Sequence, residues 1–252
     1  MTSTCESIFG AALCEVQHLY CERGASDALN GEPLNALTNA AFLVAAWGAW
    51  QLLKQVPDAH PKGLIRALIV LLAVVGLGSL LFHTVATKWA EWGDVYPILA
   101  FMVLNLWLIL TYLLELPLVT RLISLAAVLG PAYWLESVSQ DRLTEIEKTK
   151  EVVDPVIKSL LSGALYIPIV IALIFLASSL VYRRPLAGAA LFTATAVWSI
   201  SLTVRLLDLK ICPSFWLGTH FVWHMTNAIV LFLFTSIVIL YSGPAAARHA
   251  PA

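Results

Sequence analysis

The sequence predicts an all-α integral membrane protein, a bundle of seven transmembrane helices. Hydrophobic residues make up 60% of the 252-residue chain and charged residues 12%, and the mean hydropathy is +0.83. The apolar runs are continuous, without the alternation expected of strands in a membrane barrel. Seven runs reach the roughly 20 residues that a helix needs to cross the bilayer core. Since hydrocarbon cannot hydrogen-bond the backbone, helices are the remaining way to span it.

We place the seven helices near 35–54, 64–87, 94–115, 117–137, 155–182, 185–207 and 216–242, within one domain covering residues 1–252. Pro61, Pro117, Pro155 and Pro185 stand at or near helix starts, where a missing N–H costs little. The third and fourth runs are separated by little more than Glu115-Leu116-Pro117, which fits a loop or a kink in one long helix. Their combined length favours two crossings.

One extended stretch is strongly charged, QDRLTEIEKTKEVVD at residues 140–154. The spacing of Leu143, Ile146 and Val153 is compatible with a short amphipathic piece on the membrane surface, but a solvated loop helix without function is the favoured interpretation. The net charge of −1 and the lack of a Lys/Arg-rich run exclude a nucleic-acid-binding face. The first residues lack a signal-peptide pattern, so we expect insertion to rely on the first membrane helix.

Helix parity assigns the segments to two membrane faces. Residues 1–34 share one face with the ends of helices 2, 4 and 6 and the starts of helices 3, 5 and 7. Basic residues of the opposite face lie in short loops, whereas Arg142, Lys148 and Lys150 lie in the long acidic loop. The positive-inside rule weights short loops, so we expect the N-terminus and its face to be non-cytoplasmic.

Ionisable residues inside the membrane helices gather at the N-terminal face. Helix 2 ends with Ser79 and His83 one turn apart, helix 3 opens with Asp94, and helix 7 opens with His220 and His224 one turn apart. Such residues are costly in a membrane and therefore mark candidate functional sites. Parity brings all five to one face, which predicts a single cluster.

Three histidines leave one position of a tetrahedral zinc open to water, an arrangement typical of catalytic zinc, although imidazole also suits copper, iron and nickel. A zinc-bound water has a pKa of about 7 and supplies a hydroxide nucleophile. Asp94 is a candidate general base, or else it holds the zinc-bound water or one of the histidines in place. Ser79 is a candidate hydrogen-bond donor to the oxyanion that forms when hydroxide attacks a carbonyl. This chemistry hydrolyses amides or esters. The alternative for the helix 7 pair is hydrogen bonding between helices.

Two further groups of residues lie at the same face. Helix 1 opens with Glu32, Asn35, Thr38 and Asn39, and we expect the last three to join helix 1 to its neighbours by hydrogen bonds. Cys21 precedes helix 1 and Cys212 precedes helix 7. They could form a disulfide if this face is oxidising, or be two unrelated thiols.

These motifs together resemble the alkaline ceramidases, in the superfamily that also contains progestin and adipoQ receptors and the Per1 lipid remodellers. The motifs run Glu32-x2-Asn35-x2-Thr38-Asn39, Ser79-x3-His83-x10-Asp94 and His220-x3-His224, within about Tyr20 to Leu233, and YCER…EPLNALTNAAF is similar to the prokaryotic ceramidase-like branch. The resemblance implies a seven-helix fold, zinc on the three histidines, and a disulfide matching Cys21–Cys212. It also implies that Asp94 orients or deprotonates the zinc-bound water and that Ser79 stabilises the oxyanion.

The resemblance also implies a calcium site before helix 1. Glu22 and Glu32 match the family's pattern, but Leu19 and Gly24 stand where it has oxygen-bearing side chains. Calcium takes six to eight oxygen ligands, and Asp27 or backbone carbonyls would have to supply those that are missing.

The expected function is zinc-dependent hydrolysis of the amide bond of ceramide or a ceramide-like N-acyl lipid, taken from the bilayer. The alternative is a lipid-sensing receptor or a non-catalytic lipid-binding protein with a structural zinc. A metal site alone does not separate the two, because binding a metal does not require turnover.

Overall fold

The computed structural model describes residues 2–57 and 60–243, and within these ranges it has helices and no strand beyond a bridge between Val16 and Thr87. Seven helices are long and apolar enough to cross a membrane. This confirms the predicted all-α seven-helix fold and a multi-pass membrane protein. We number them membrane helices 1 to 7: Pro33–Gln55, Lys62–Val85, Lys88–Leu113, Leu118–Thr149, Tyr166–Arg183, Pro185–Ile211 and His220–Tyr241.

Several helix boundaries differ from the predicted ones. Helix 3 begins at Lys88 rather than near 94, so Asp94 lies inside the helix, and its last turn, Ile109–Leu113, is a π-helix. The predicted fifth helix is two helices, Pro155–Leu161 and Tyr166–Arg183, because a turn at 162–165 separates them. Helix 7 begins at His220 rather than 216.

The end of helix 4 corrects the prediction for the charged segment. Residues up to Thr149 continue helix 4 instead of forming a separate piece on the membrane surface. No residue before Lys150 breaks the helix, and Lys150 ends it in a left-handed conformation with φ of 52°. Thirty-two residues at about 1.5 Å each exceed the roughly 30 Å hydrocarbon core. The charged end of helix 4 therefore extends past the core.

Glycine lets the helices approach closely next to the predicted site. A Cβ atom on Gly78 of helix 2 would lie 1.9 Å from the carbonyl oxygen of Gly93 on helix 3. A Cβ on Gly76 would lie 2.7 Å from the Cβ of Phe42 on helix 1. Small residues at such contacts are typical of membrane bundles. Here they set the spacing between the helices that carry Ser79, His83 and Asp94.

The segment before helix 1 is fastened across the N-terminal face. The N–H of Gln17 donates to the carbonyl of Ala86 at 2.6 Å, and a disulfide joins Cys21 to Cys212. The described residues contain a second disulfide, Cys5–Cys14, which the sequence did not lead us to expect.

The buried side chain of Asp208, on helix 6, also holds this segment in place. Its carboxylate accepts hydrogen bonds from the backbone N–H groups of Cys21 at 3.0 Å, Thr219 at 2.7 Å and His220 at 2.9 Å. The last two are free N–H groups at the start of helix 7, where a negative charge is favourable. One carboxylate thus fixes both the start of helix 7 and the segment that crosses it. Gly218, with φ of 64°, leaves room for it, because a Cβ there would lie 2.1 Å from Asp208 Oδ1.

Candidate metal centre

Three buried imidazoles meet where helix 2 ends and helix 7 begins. His83, His220 and His224 are each at most 1% exposed, and one ligand atom from each lies within 4.8 Å of the others. His220 and His224 stand one turn apart on helix 7, so they present their rings to the same neighbour. Among the described residues, this is the one group of His, Cys, Asp or Glu side chains spaced to hold a metal ion.

Two of the rings are oriented through their Nδ1 atoms. His83 Nδ1 lies 2.5 Å from Glu32 Oε2, and a carboxylate can only accept, so this nitrogen carries the proton. His224 Nδ1 lies 3.1 Å from Thr38 Oγ1, whose own proton points to the carbonyl of Leu34 at 2.8 Å. The hydroxyl therefore accepts from His224. Both rings keep an Nε2 lone pair for a ligand, as metal-binding histidines with such partners do.

The nitrogens left over fit a metal ion. Nε2 of His83, both ring nitrogens of His220 and Nε2 of His224 are buried without a hydrogen-bond partner. Buried polar atoms are nearly always paired, because leaving one unpaired costs about 1–3 kcal/mol. A cation among the three rings would satisfy one nitrogen of each. An all-imidazole set suits zinc, and also copper, iron or nickel.

Asp94 and Ser79 lie beside the histidines on facing helices. Asp94 is 7% exposed and Ser79 2%, and the close contact between Gly78 and Gly93 brings their backbones together. Asp94 is near enough to His83 and Ser79 to interact with both. Its Oδ1 and the hydroxyl of Ser79 have no hydrogen-bond partner of ordinary geometry. The predicted cluster of five side chains is thus assembled at one face, and each of the five has at least one polar atom without a hydrogen-bond partner.

Glu32 links the histidines to a buried arginine that the sequence analysis missed. Arg23 Nε donates to Glu32 Oε1 at 2.6 Å, Asn35 Nδ2 donates to Oε2 at 3.0 Å, and Arg23 is 3% exposed. Burial alone would raise the pKa of Glu32. The hydrogen bonds from His83, Arg23 and Asn35 hold that pKa below its ordinary value. Glu32 therefore remains a carboxylate that orients His83.

The three carboxylates named for calcium are not brought together. Glu22 accepts from the N–H groups of Leu34 at 2.7 Å and Asn35 at 2.8 Å, which caps helix 1. The side chain of Asp27 is 80% exposed and pairs with His18 at 3.1 Å. Within the described part of the chain these acids form no group of metal-binding size. The guanidinium of Arg23 supplies the positive charge next to Glu32.

The polar residues of helix 1 divide between two roles. Thr38 reaches His224 and so connects helix 1 to helix 7, as expected. Asn39 Nδ2 instead donates to the carbonyl of Asn35 at 2.8 Å, and Asn35 Nδ2 donates to Glu32. These two hydrogen bonds lie at the start of helix 1 and do not join it to another helix. Asparagine in a helix commonly bonds back to its own backbone in this way.

Tyr20 covers the histidines and was also missed. Its ring stacks on His220 with 3.6 Å between centroids, and it lies 5.1 Å from the ring of His83. Burial raises the pKa of its phenol above the ordinary value. The disulfide of the next residue, Cys21, fixes its position. A neighbouring cysteine was the sequence signal that could have pointed to it.

A cavity lies among helices 3 to 7; none of the three histidines lines it, and Trp223 connects it to them. Trp223 lines it and stacks on His220 with 5.1 Å between centroids. The cavity volume, counted as the space open to the centre of a water-sized sphere, is about 50 Å³. Its walls are mainly apolar and include Phe101, Met102, Ile169 and Phe234.

Comparison with known proteins adds no relative: no family model, no curated protein and no solved structure matches the chain. Fold and site therefore define the class. This is a multi-pass membrane protein with a buried group of three histidines that can hold a metal ion.

Proposed function

We propose that this protein is a zinc-dependent membrane hydrolase that cleaves the amide bond of ceramide or a ceramide-like N-acyl lipid. The observation that carries the proposal is the set of three buried imidazoles with unpartnered nitrogens beside Asp94 and Ser79. Among the described residues no fourth His, Cys, Asp or Glu joins the group, and three protein ligands are typical of catalytic zinc.

The side chains divide the work in this proposal. Zinc, when bound, supplies an activated water and polarises a carbonyl. Asp94 takes the proton that the attacking water loses and returns it to the leaving amine. Ser79 donates a hydrogen bond to the carbonyl oxygen as negative charge develops there. Glu32 and Thr38 keep the rings of His83 and His224 in place.

The cavity supports a lipid substrate. It adjoins the histidines at Trp223, lies within the membrane helices and has mainly apolar walls. An acyl chain would occupy it while the amide lies at the histidines near the membrane surface. Charged and polar residues are concentrated at that end, where a head group would meet them.

A second function, lipid sensing with a structural metal, is supported by one observation. All three histidines are almost fully buried, and Tyr20, from the segment before helix 1, stacks on His220. A site closed in this way can stabilise the bundle without turnover.

The two functions are separated by measuring metal and turnover on the same samples. We expect purified wild-type protein to contain zinc by elemental analysis and to release fatty acid from N-acyl lipids in mixed micelles. His220→Ala should lose both metal and activity. Asp94→Asn should keep metal and lose activity. His60→Ala, at the opposite face, is the matched control and should keep both.

Two results would contradict the hydrolase. Zinc without turnover of any N-acyl lipid would favour lipid sensing. Turnover that survives both His220→Ala and Asp94→Asn would place the chemistry elsewhere.

A further inference from the structure

Three residues that line the apolar cavity carry polar atoms that nothing in the described part of the protein satisfies. Asn105 and Asn227 line it, and the side-chain oxygen of each lacks a hydrogen-bond partner. Nε1 of Trp223, which also lines it, lacks one too. All three residues are at least nine-tenths buried, with exposures of 5%, 2% and 5% for Asn105, Asn227 and Trp223.

A plain hydrocarbon chain would leave these atoms unpaired. An unsatisfied polar group in an apolar site costs more than the bond it could have made, so a cavity built only for acyl chains would not carry three of them. The Asn oxygens need a donor, and Trp223 Nε1 needs an acceptor. A hydroxyl group is both.

Trp223 and Asn227 are spaced to share one hydroxyl. They stand one turn apart on helix 7, where side chains are roughly 5–6 Å apart at Cβ. A hydroxyl oxygen between them can accept from Trp223 Nε1 and donate to the Asn227 oxygen. This position lies one turn from His224, so it is close to the metal end of the cavity.

Asn105 lies farther into the membrane. It is eleven residues beyond Asp94 on helix 3, which corresponds to about 16 Å along a helix. The two positions are therefore suited to hydroxyls at different points of one chain.

We infer that the cavity binds a lipid chain that carries a hydroxyl group, recognised near the histidines by Trp223 and Asn227 and deeper in the membrane by Asn105. The inference rests on the proposed function in placing the lipid's reacting end at the histidines. It extends that function by naming the substrate class as hydroxylated acyl chains.

Direct binding tests this without turnover. The probes are stearic acid, stearic acid with a hydroxyl on the carbon next to the carboxyl group, and stearic acid with a hydroxyl at mid-chain, each titrated into the full-length protein in detergent micelles. We expect the wild type to bind both hydroxylated acids roughly three- to ten-fold more tightly than stearic acid, because one net hydrogen bond is gained.

The variants should remove the preferences separately. Asn227→Leu and Trp223→Phe should abolish the preference for the hydroxyl near the carboxyl group, and Asn105→Leu the preference for the mid-chain hydroxyl. Affinity for stearic acid should not fall. Ser236→Ala is the matched control, because its hydroxyl is also buried and unpartnered on helix 7 but does not line the cavity. Trp223→Phe keeps the aromatic ring and serves if a leucine variant fails to fold.

Equal binding of the three acids by the wild type would overturn the inference, as would a preference that persists in the folded variants. The result is separable from that of the proposed function. Hydrolysis of N-acyl lipids without a preference for hydroxylated acids would support the proposed hydrolase and contradict the inference about the cavity. Preferential binding of hydroxylated acids without hydrolysis would support the inference about the cavity and contradict the proposed hydrolase.

Discussion

Both ends of the helix bundle are held together by a charged side chain at an end of helix 7 and by close glycine contacts. The histidine end differs in that it also has buried ring nitrogens without a hydrogen-bond partner. At the histidine end Asp208 accepts from backbone N–H groups at the start of helix 7. At the opposite end Arg184 donates to the carbonyls of Tyr112 and Tyr241, each at 3.0 Å, and the latter closes helix 7. The signs of the two charges match the helix dipole.

Glycine contacts also occur at both ends. Gly78 meets Gly93 at the histidine end, and a Cβ on Gly188 at the opposite end would lie 2.4 Å from the backbone nitrogen of Val181. The difference lies in what these contacts surround. Within residues 2–57 and 60–243, only the histidine end positions buried imidazole nitrogens that have no partner. The shared contacts stabilise the fold, and the unpaired nitrogens mark the place that could hold a metal ion.

The largest effect should come from removing the charge at Asp208. Asp208→Asn loses the charge-assisted hydrogen bonds to Cys21, Thr219 and His220, each worth about 1.5–3 kcal/mol, so we expect a loss of at least about 3 kcal/mol in unfolding free energy and weaker zinc binding. Unfolding in mixed micelles and a zinc titration measure the two quantities.

Arg184→Gln is the counterpart at the other end. It should also destabilise the protein, but zinc affinity in the folded fraction should not change. If Arg184→Gln weakens zinc binding as much as Asp208→Asn does, the two ends are not functionally distinct.

Overpacking the glycine contacts should have the next largest effect. Gly78→Ala places a methyl group against the Gly93 carbonyl and must push helices 2 and 3 apart, which we expect to cost about 1–3 kcal/mol and to separate His83 from Asp94. Gly188→Ala should cost a similar amount without changing zinc affinity. Thermal unfolding and zinc titration of both variants check this.

Gly93→Ala is the internal control for that experiment. A Cβ on Gly93 meets nothing within 4 Å, although the same residue receives the contact from Gly78. We expect its stability to stay close to that of the wild type. A Gly93→Ala protein as unstable as Gly78→Ala would contradict the packing of helices 2 and 3 described above.

Removing an orienting hydrogen bond should affect the metal more than the fold. Thr38→Val keeps the shape of the side chain but takes away the acceptor of His224 Nδ1, and such losses lower metal affinity about 10–100-fold. Thr84→Val is matched to it, because that hydroxyl bonds only to its own helix at Leu80. Competition with a zinc chelator measures both affinities, and equal affinities for the two variants would show that Thr38 does not orient the ring.

The fold class and the histidine cluster could be predicted because both follow from local patterns. A run of apolar residues long enough to span the bilayer has few alternatives to a helix, and counting helices assigns each end to a face. This count is what placed His83 with His220 and His224.

Residues that depend on contacts between distant segments could not be predicted in this way. Arg23 binds Glu32 and the carbonyl of His83, and Tyr20 stacks on His220. Both lie in the YCER stretch before the first membrane helix, and the pattern of that stretch assigned no role to either. Asp208 lies near the end of an apolar helix, and no motif in the sequence marks it. The end of helix 4 was misplaced because charge was taken as a boundary, whereas a helix continues until its backbone is interrupted.

The smallest effect is expected at an exposed ion pair on the histidine face. The hydrogen bonds from Lys210 Nζ, at 2.6 Å, and from the Val156 N–H hold the pKa of Asp154 below its ordinary value of 3.8. Because the folded-state pKa is lowered, the Asp154 carboxylate stabilises the protein above the unfolded-state pKa. This contribution is lost as pH falls through the folded-state pKa.

Because the ion pair is exposed and screened by salt, the gain in unfolding free energy should be slight. Asp154→Asn should therefore match the wild type in zinc affinity and be slightly less stable above about pH 4, with the difference shrinking below that pH and vanishing below the lowered folded-state pKa. Unfolding in mixed micelles across this range tests it, and a loss of zinc from Asp154→Asn would mean that the metal centre depends on this face well beyond the residues that touch the histidines.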